Sequence, residues 1–355
     1  MGAGQPGPPP LPALHHMDDQ GSHTGSVKVA LVLGAGGMVG MAYHAGALRA
    51  LEEEAGFRPP DADLIVGTSA GSVLGAYLRS GWSTRDFWEL ALGTHEALGG
   101  LGDMGQDSEA APLLEALPRA FSPAFHTPLD LARRFLGSAY VMTRSVVRVP
   151  TPAMPGFLAH AFPAGLFSMG QGRRRLAAEL PDQWPESPLW LCAVDIVSGE
   201  RIVLGSRGAP SLSLADAVAA SCAIPGVYAP VRLGRRVLVD GGAHSTTNLD
   251  LAVRATCDVA ICVAPMAFDR HDPPDALAKL VRRVPTRALA IEANGARRRG
   301  VRVLTLRPSA SELRLHGLHM MRVDGHDAVA RAAYESTARA VTSEAFRQVL
   351  GPLAA

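Results

Sequence analysis

The pentapeptide Gly67-Thr68-Ser69-Ala70-Gly71 fits the pattern Gly-x-Ser-x-Gly and lies between an apolar run, Asp63-Leu-Ile-Val-Gly67, and a stretch with helical spacing over residues 70–78. A serine at the tip of a sharp strand-to-helix turn presents its hydroxyl as a nucleophile. Such a turn forces the backbone on its two sides into close approach, so Gly67 and Gly71 are expected there for steric reasons. The helix that follows points its free amides and positive dipole end at the serine. Five-residue patterns arise by chance in a glycine-rich chain, but the strand before and the helix after are what this turn requires.

A second glycine turn, Gly34-Ala35-Gly36-Gly37-Met38-Val39-Gly40, follows the apolar run 27–33 and precedes another helical pattern. Successive amides in such a turn form a concave nest for negative charge. Two anions fit it. A dinucleotide pyrophosphate asks for Gly-x-Gly-x-x-Gly; read from Gly34 the pattern meets Val39 in its last place, and read back from Gly40 it meets Ala35 in its first. Glu52, Glu53 and Glu54 nevertheless stand where a ribose-binding acid would lie. The other anion is the oxyanion of acyl transfer, with the amides of Gly36, Gly37 and Met38 as donors, each such donor being worth ~100- to 1,000-fold in turnover. A neighbouring serine elbow favours the oxyanion. The third turn, Val237-Leu-Val-Asp240-Gly241-Gly242, ends a strand in a carboxylate. Alone it reads as an ordinary Asp-Gly turn. Beside a serine it supplies the missing base, provided that burial beside Val237 and Val239 lifts its pKa above the usual value of about 4.

These turns need elements that set them side by side. The order strand, turn, helix, strand, turn, helix over residues 27–78 predicts a parallel sheet with helices on its faces. The first helix is expected from Gly40, with Met41, Ala45, Leu48 and Leu51 on one face. Further strands are expected at 189–194, 201–204, 236–239, 259–263 and 301–306, and a terminal helix over 328–350. Residues 95–185 mix glycines, prolines and short helical stretches such as Leu113 to Leu117 and Leu129 to Leu136, which suits a cap or long insertion. Residues 1–26 are proline-rich and are read as a disordered tail.

Composition narrows the classes. Hydrophobic residues make up 47% and charged residues 19%, which supplies a large core. The 34 basic and 33 acidic side chains give a formal charge of +1, so no net field draws the chain to nucleic acid. Only Lys28 and Lys279 are lysines. The arginine clusters Arg173 to Arg175, Arg282 with Arg283, and Arg297 to Arg299 are read as solvated surface. Cys192, Cys222, Cys257 and Cys262 are too few for a disulfide framework and show no C-x-x-C pair, so they are read as buried thiols in a reducing, cytoplasmic compartment. The first residues lack the apolar core of a signal peptide, and no apolar run reaches the ~20 residues of a spanning helix. A peripheral visit to a membrane surface is the most that is expected. The segment Phe157-Leu-Ala-His-Ala-Phe162 to Phe167-Ser-Met169 is a candidate lid or lipid-facing lip, with packing inside the cap as its simpler reading.

Taken in order, the three turns resemble the patatin-like phospholipases, which hydrolyse lipid acyl esters with a serine and aspartate dyad. The matching residues are Gly36, Gly37 and Gly40 in the glycine loop, Gly67, Ser69 and Gly71 in the elbow, and Asp240, Gly241 and Gly242 in the acid turn. Leu51-Glu-Glu, Ala193-Val-Asp195 with Gly199, and Ala220-Ser-Cys-Ala-Ile-Pro-Gly226 add to the likeness, which spans about residues 27–265 and extends less clearly to 310. It implies a three-layer α/β/α fold with a mostly parallel central sheet and a cap-like insertion at about 95–185, forming a catalytic domain over 27–310 with a C-terminal helical segment, 311–355, packed on it. Three departures stand out. Val39 occupies a place that is usually basic, Ala35 replaces a glycine, and Ala243-His-Ser-Thr-Thr-Asn248 follows the acid where the family more often has a short Asn-x-Pro.

The resulting expectation is an ester hydrolase in which Asp240 takes the proton of Ser69, the amides of Gly36, Gly37 and Met38 hold the oxyanion, and water releases the acyl enzyme. Neither a metal nor a cofactor is called for. The expected partner is a lipid ester or phospholipid. One rival is a triad of Ser69, Asp195 or Asp240, and His316, His319 or His326, with His244 a further histidine near the acid. The others are a dinucleotide- or lipid-binding module that grips an anion without catalysis, and a family member that keeps the fold as a scaffold.

Overall fold

The computed structural model describes residues 27–95, 122–124, 126–142, 165–322 and 324–350. The expected tail, the stretch 113–117 and residues 157–164 of the apolar segment lie outside them.

Strand β1 (Val29–Leu33) is buried along its whole length. Its side chains alternate between two cores, as the twofold period of a strand requires. Val29, Leu31 and Leu33 enter the core shared with α1 (Gly37–Ala55), which follows the glycine turn. Ala30 and Val32 enter the opposite one. β2 (Leu64–Gly67) runs parallel to β1 and leads into α2 (Ala70–Arg79) and then α3 (Thr84–Leu92). Next come the small pair β3 (Ser122–Pro123) and β4 (Phe167–Ser168), with α4 (Pro128–Met142) between them and α5 (Gly170–Glu179) after them. The main sheet resumes with β5 (Leu189–Asp195) and β6 (Glu200–Leu204), then α6 (Leu214–Ser221), β7 (Val231–Leu233) and β8 (Arg236–Asp240). It is completed by α7 (Asp250–Arg254), β9 (Val259–Val263), α8 (Ala276–Arg297) and β10 (Arg302–Leu306), before α9 (Ala310–His316), α10 (His326–Val341) and α11 (Glu344–Leu350).

The strand path is β10-β9-β1-β2-β5-β8-β7, with β6 pairing β5 off that path. β10, β9, β1, β2 and β5 are mutually parallel, while β6 and β8 both run antiparallel to β5. α1, α2 and α10 share one core, and α7 and α8 line the other, giving three layers.

A strand has two hydrogen-bonding edges. β6 occupies one edge of β5 along residues 191–195, so the other edge is divided between β2, at residues 189–191, and β8, at residues 193–195. β2 and β8 run in opposite directions along that shared edge, and their C-terminal ends face each other.

Several expectations are corrected. α1 starts at Gly37, not Gly40, with the amide of Gly40 bonded to the Gly36 carbonyl at 2.8 Å. Side-chain periodicity could not show this, because Gly36 and Gly37 have no side chains. The terminal helix is two helices, interrupted where the hydroxyls of Thr342 and Ser343 bond back to the Arg339 and Ala340 carbonyls. Arg282 is buried, not solvated, because its guanidinium has partners inside the fold. Cys192, Cys257 and Cys262 are buried and Cys222 is half-buried, all four as free thiols. The short strand β7 was not expected.

Candidate active site

Gly67 ends β2, and two residues later Ser69 takes φ 54° and ψ −119°, a left-handed backbone that a residue with a Cβ adopts only at a cost. Its neighbours hold it there. The Ser69 amide donates to Ser221 Oγ at 3.1 Å, and Ser221 Oγ in turn donates to the Cys192 carbonyl at 2.7 Å. The Ser69 carbonyl accepts from Ser72 Oγ at 2.6 Å and from Cys222 Sγ at 3.4 Å. The glycines have the steric job read from the sequence. A Cβ on Gly67 would stand 2.6 Å from the Ser72 Cα, and one on Gly71 would collide with the Leu33 carbonyl oxygen of β1.

Asp240 is the last residue of β8 and pairs with Ala193 of β5. Gly67 pairs with Leu191, two residues before Ala193 on the same strand. β2 and β8 thus end two residues apart on the shared edge, and the turn after Gly67 brings the Ser69 side chain into hydrogen bond with Asp240. The Asp240 carboxyl is 5% exposed, and burial raises its pKa to about 6. Two hydrogen bonds pull the other way, one from the Gly242 amide to Oδ1 at 2.7 Å and one with the Ser69 side chain. The close approach of Gly241 to the Cys192 carbonyl leaves no room for a Cβ, and a Cβ on Gly242 would touch that of Ala35 at 3.6 Å. The acid turn thus reaches the glycine loop.

That loop leaves β1 beside β2. The Gly34 and Ala35 amides are consumed by the Val263 and Thr246 carbonyls at 3.0 and 2.7 Å, and the Val39 amide by the Met320 carbonyl at 3.1 Å. Between them the amides of Gly36, Gly37 and Met38 make no hydrogen bond to a described residue. They are first-turn amides of α1, which has no intrahelical acceptor for them. Gly37 has φ +59°, and a Cβ there would lie 2.6 Å from the Met320 oxygen. Val39, at the place that is usually basic in the family it resembles, is fully buried in the core.

Several positioning residues escaped sequence reading. His44, on the buried face of α1, meets the Gly34 carbonyl through Nε2 at 2.8 Å, and burial lowers its pKa to about 4. Asn248 donates through Nδ2 to Thr68 Oγ1 at 3.0 Å, which ties the segment after the acid to the residue before Ser69. Arg282 of α8 donates to the Pro265 carbonyl at 2.5 Å and touches Met320 Sδ at 3.3 Å. Pro265 packs on Gly36 and Met320 holds the Val39 amide, so one arginine braces both flanks of the loop. The unusual run at 243–248 and a histidine four residues past Gly40 were the available signals; Arg282 gave none.

The rival triad is not assembled. Among the described residues the Asp240 carboxylate bonds the Gly242 amide and the Ser69 side chain. Both ring nitrogens of buried His316 lack a partner among the described residues, the ring stands edge-on to Tyr43, and burial lowers its pKa to about 3. His326 Nε2 meets the Arg322 carbonyl at 2.9 Å, His319 is exposed, and His244 acts on Asp250, helping to lower its carboxyl pKa. Asp195 is occupied in its own turn by the Val197 and Val237 amides and Ser198 Oγ. Among the described residues no group of three or more His, Cys, Asp or Glu side chains is placed to hold a metal ion. No helix among them is long and apolar enough to cross a membrane.

Solved structures similar to this chain include VipD from Legionella pneumophila, at 14% identity and a TM-score of 0.40, with 89% of this chain and 66% of that one covered. The type III effector ExoU matches at 15% identity and 0.35, with coverage of 90% and 53%. The ExoU–SpcU complex of Pseudomonas aeruginosa matches at 21% identity and 0.28, with 92% and 66%. The chain therefore spans less than two thirds of the length of each. A family model, patatin-like phospholipase, matches residues 31–253, which carry the glycine loop, the elbow and the acid turn, and the chain belongs to that family.

Proposed function

We propose that the protein is a serine acyl hydrolase that cleaves carboxylic esters of lipids through Ser69 and Asp240. The observation that carries this reading is the meeting of the Ser69 hydroxyl with a buried carboxylate whose pKa is raised to about 6, beside three amides that have no partner among the described residues. With Oδ1 engaged by Gly242, Oδ2 is the oxygen left to accept the serine proton as Oγ attacks the ester carbonyl. The amides of Gly36, Gly37 and Met38 take the charge that develops on the carbonyl oxygen. Collapse of the tetrahedral intermediate expels the alcohol, which carries off the proton held by Asp240. Asp240 then activates water against the acyl enzyme. A base near pKa 6 is mostly ionised at neutral pH yet still basic enough to work.

Family membership supports a lipid as substrate. With this reading goes a catalytic domain over 27–310 and a C-terminal segment, 311–355, docked on it; the packing of α10 along α1 supports that division.

The test is labelling with a fluorophosphonate followed by peptide mapping. Modification confined to the peptide containing Ser69, and lost in Ser69→Ala, is the expected result. An unlabelled, folded protein would return the glycine loop to a non-catalytic anion-binding role.

A further inference from the structure

Helix α8 has two opposed faces. Ala278, Arg282, Thr286, Leu289, Ala293 and Ala296 are buried. Leu277, Leu280, Val281, Val284 and Ile291 are exposed, from 52% at Val281 to 75% at Val284. Single exposed apolar residues are ordinary. These recur at the i, i+3, i+4, i+7 spacing of one helix face and form a stripe turned to solvent.

The exposed charged side chains near the stripe on the helix itself are basic, and Asp275, at its N-cap, accepts from the Leu277 and Ala278 amides at 3.0 and 2.9 Å. Lys279, Arg283 and Arg287 are exposed and make no ion pair with a described residue. The only acid of the helix, Glu292, turns inward to Thr247 Oγ1 and the Leu249 amide at 2.8 and 2.9 Å. A second copy docked symmetrically on this face would bring like charges together, whereas anionic lipid headgroups complement them.

Position adds a third observation. β9 pairs in parallel with β1, Val263 beside Leu33, so α8 begins at the sheet end from which the glycine loop and Ser69 emerge. The four apolar residues nearest that end lie between 277 and 284. Arg282, among them but facing inward, braces the loop through Pro265 and Met320.

We propose that the outer face of α8, with Leu277, Leu280, Val281 and Val284 as its apolar stripe and Arg287, Arg283 and Lys279 along one flank, lies on an anionic bilayer surface and presents the Ser69 end of the sheet to it. The choice of a bilayer rests on the lipid-ester reading, while exposure and charge stand without it. An amphipathic helix with a basic polar face binds in the interfacial plane in this way.

The test uses the full chain carrying Ser69→Ala, so that binding is read without hydrolysis and regardless of whether Ser69 is the nucleophile. It is cosedimented with vesicles of phosphatidylcholine alone and of phosphatidylcholine mixed with phosphatidylglycerol. Binding is expected to the mixed vesicles and to fall with added salt. Arg283→Gln with Arg287→Gln lowers the partition constant about 30-fold, at ~1 kcal/mol for each basic residue near the surface. Leu280→Gln with Val284→Gln lowers it about 10-fold or more. Both pairs placed in the Ser69 protein leave hydrolysis of a soluble p-nitrophenyl ester unchanged, which shows that they fold. Equal binding by both pairs and the parent, or a parent that ignores anionic vesicles, overturns the proposal. So does a parent dimer that Leu280→Gln with Val284→Gln converts to a monomer without altering vesicle binding, which would assign the stripe to a second copy.

Discussion

Ser69 and Asp240 meet because the strands that deliver them share one edge of β5 and run toward each other along it. Asp240 ends β8, and Ser69 lies two residues past the end of β2, in the tight turn into α2. The Asp240 carboxyl is enclosed by the same arrangement, so the contact with Ser69 and the raised pKa have one structural origin.

The acid limb of the rate profile follows from that burial. In the proposed mechanism Asp240 accepts a proton in its ionised form, so kcat/KM for a soluble ester is expected to rise as pH passes through about 6 and to level off above it. A limb near pH 4 would mean that Asp240 is solvated in the working enzyme. Asp240→Asn is expected to lower turnover by roughly 100- to 10,000-fold.

The same shift makes a stability prediction of opposite sign. The folded pKa of Asp240 lies above its unfolded value of 3.8, so the protonated acid favours folding below that value, and this contribution is lost as pH rises through about 6. At pH 8 the buried anion opposes folding. Asp240→Asn, which keeps an acceptor for the Gly242 amide, is expected to stabilise the protein at pH 8 by about 2 kcal/mol and by much less at pH 4. Thermal unfolding at the two pH values measures this, and equal shifts would contradict it.

Gly71→Ala and Gly172→Ala separate steric need from glycine content. The first places a methyl group on the Leu33 carbonyl, whereas the second meets nothing within 4 Å on helix α5. The expected costs are more than about 3 kcal/mol for Gly71→Ala and a gain of up to ~1 kcal/mol for Gly172→Ala. Urea titration of both proteins checks the contrast.

Arg282 acts on the glycine loop through Pro265 and Met320 and touches neither Ser69 nor Asp240 by any hydrogen bond found in the described residues. Arg282→Met is expected to lower kcat about 10- to 100-fold through misplacement of the loop amides, with KM for a short soluble ester little changed. Arg282→Lys, which can still donate to Pro265, recovers part of the loss. Equal loss in both variants, together with a lowered melting temperature, would make the residue purely structural.

The histidines are expected to be dispensable for chemistry. His316→Phe keeps the edge-on contact with Tyr43 and removes two unpartnered ring nitrogens, so it is expected to gain about 1 kcal/mol of stability. Alanine at His244, His319 or His326 is expected to retain turnover within a few-fold. A 100-fold loss at any one of them would revive the triad.

The sequence by itself determined the local chemistry. Apolar runs of strand length, ended by glycines and followed by helical spacing, marked β1, β2 and their turns, because burial on both faces leaves a continuous apolar record and a tight turn leaves glycine. Gly67, Ser69, Gly71 and Asp240 were legible for the same reason. What the tertiary structure decided was how the turns meet. The sharing of the β5 edge, the capture of the Val39 amide by Met320, and the support from His44, Asn248 and Arg282 depend on pairs far apart in the chain. Such pairs leave no periodicity, since a hydrogen bond across the fold needs only one donor and one acceptor, and neither has to differ in type from its neighbours in sequence. The burial that shifts Asp240 is likewise a property of everything packed around it, and a single strand cannot record that.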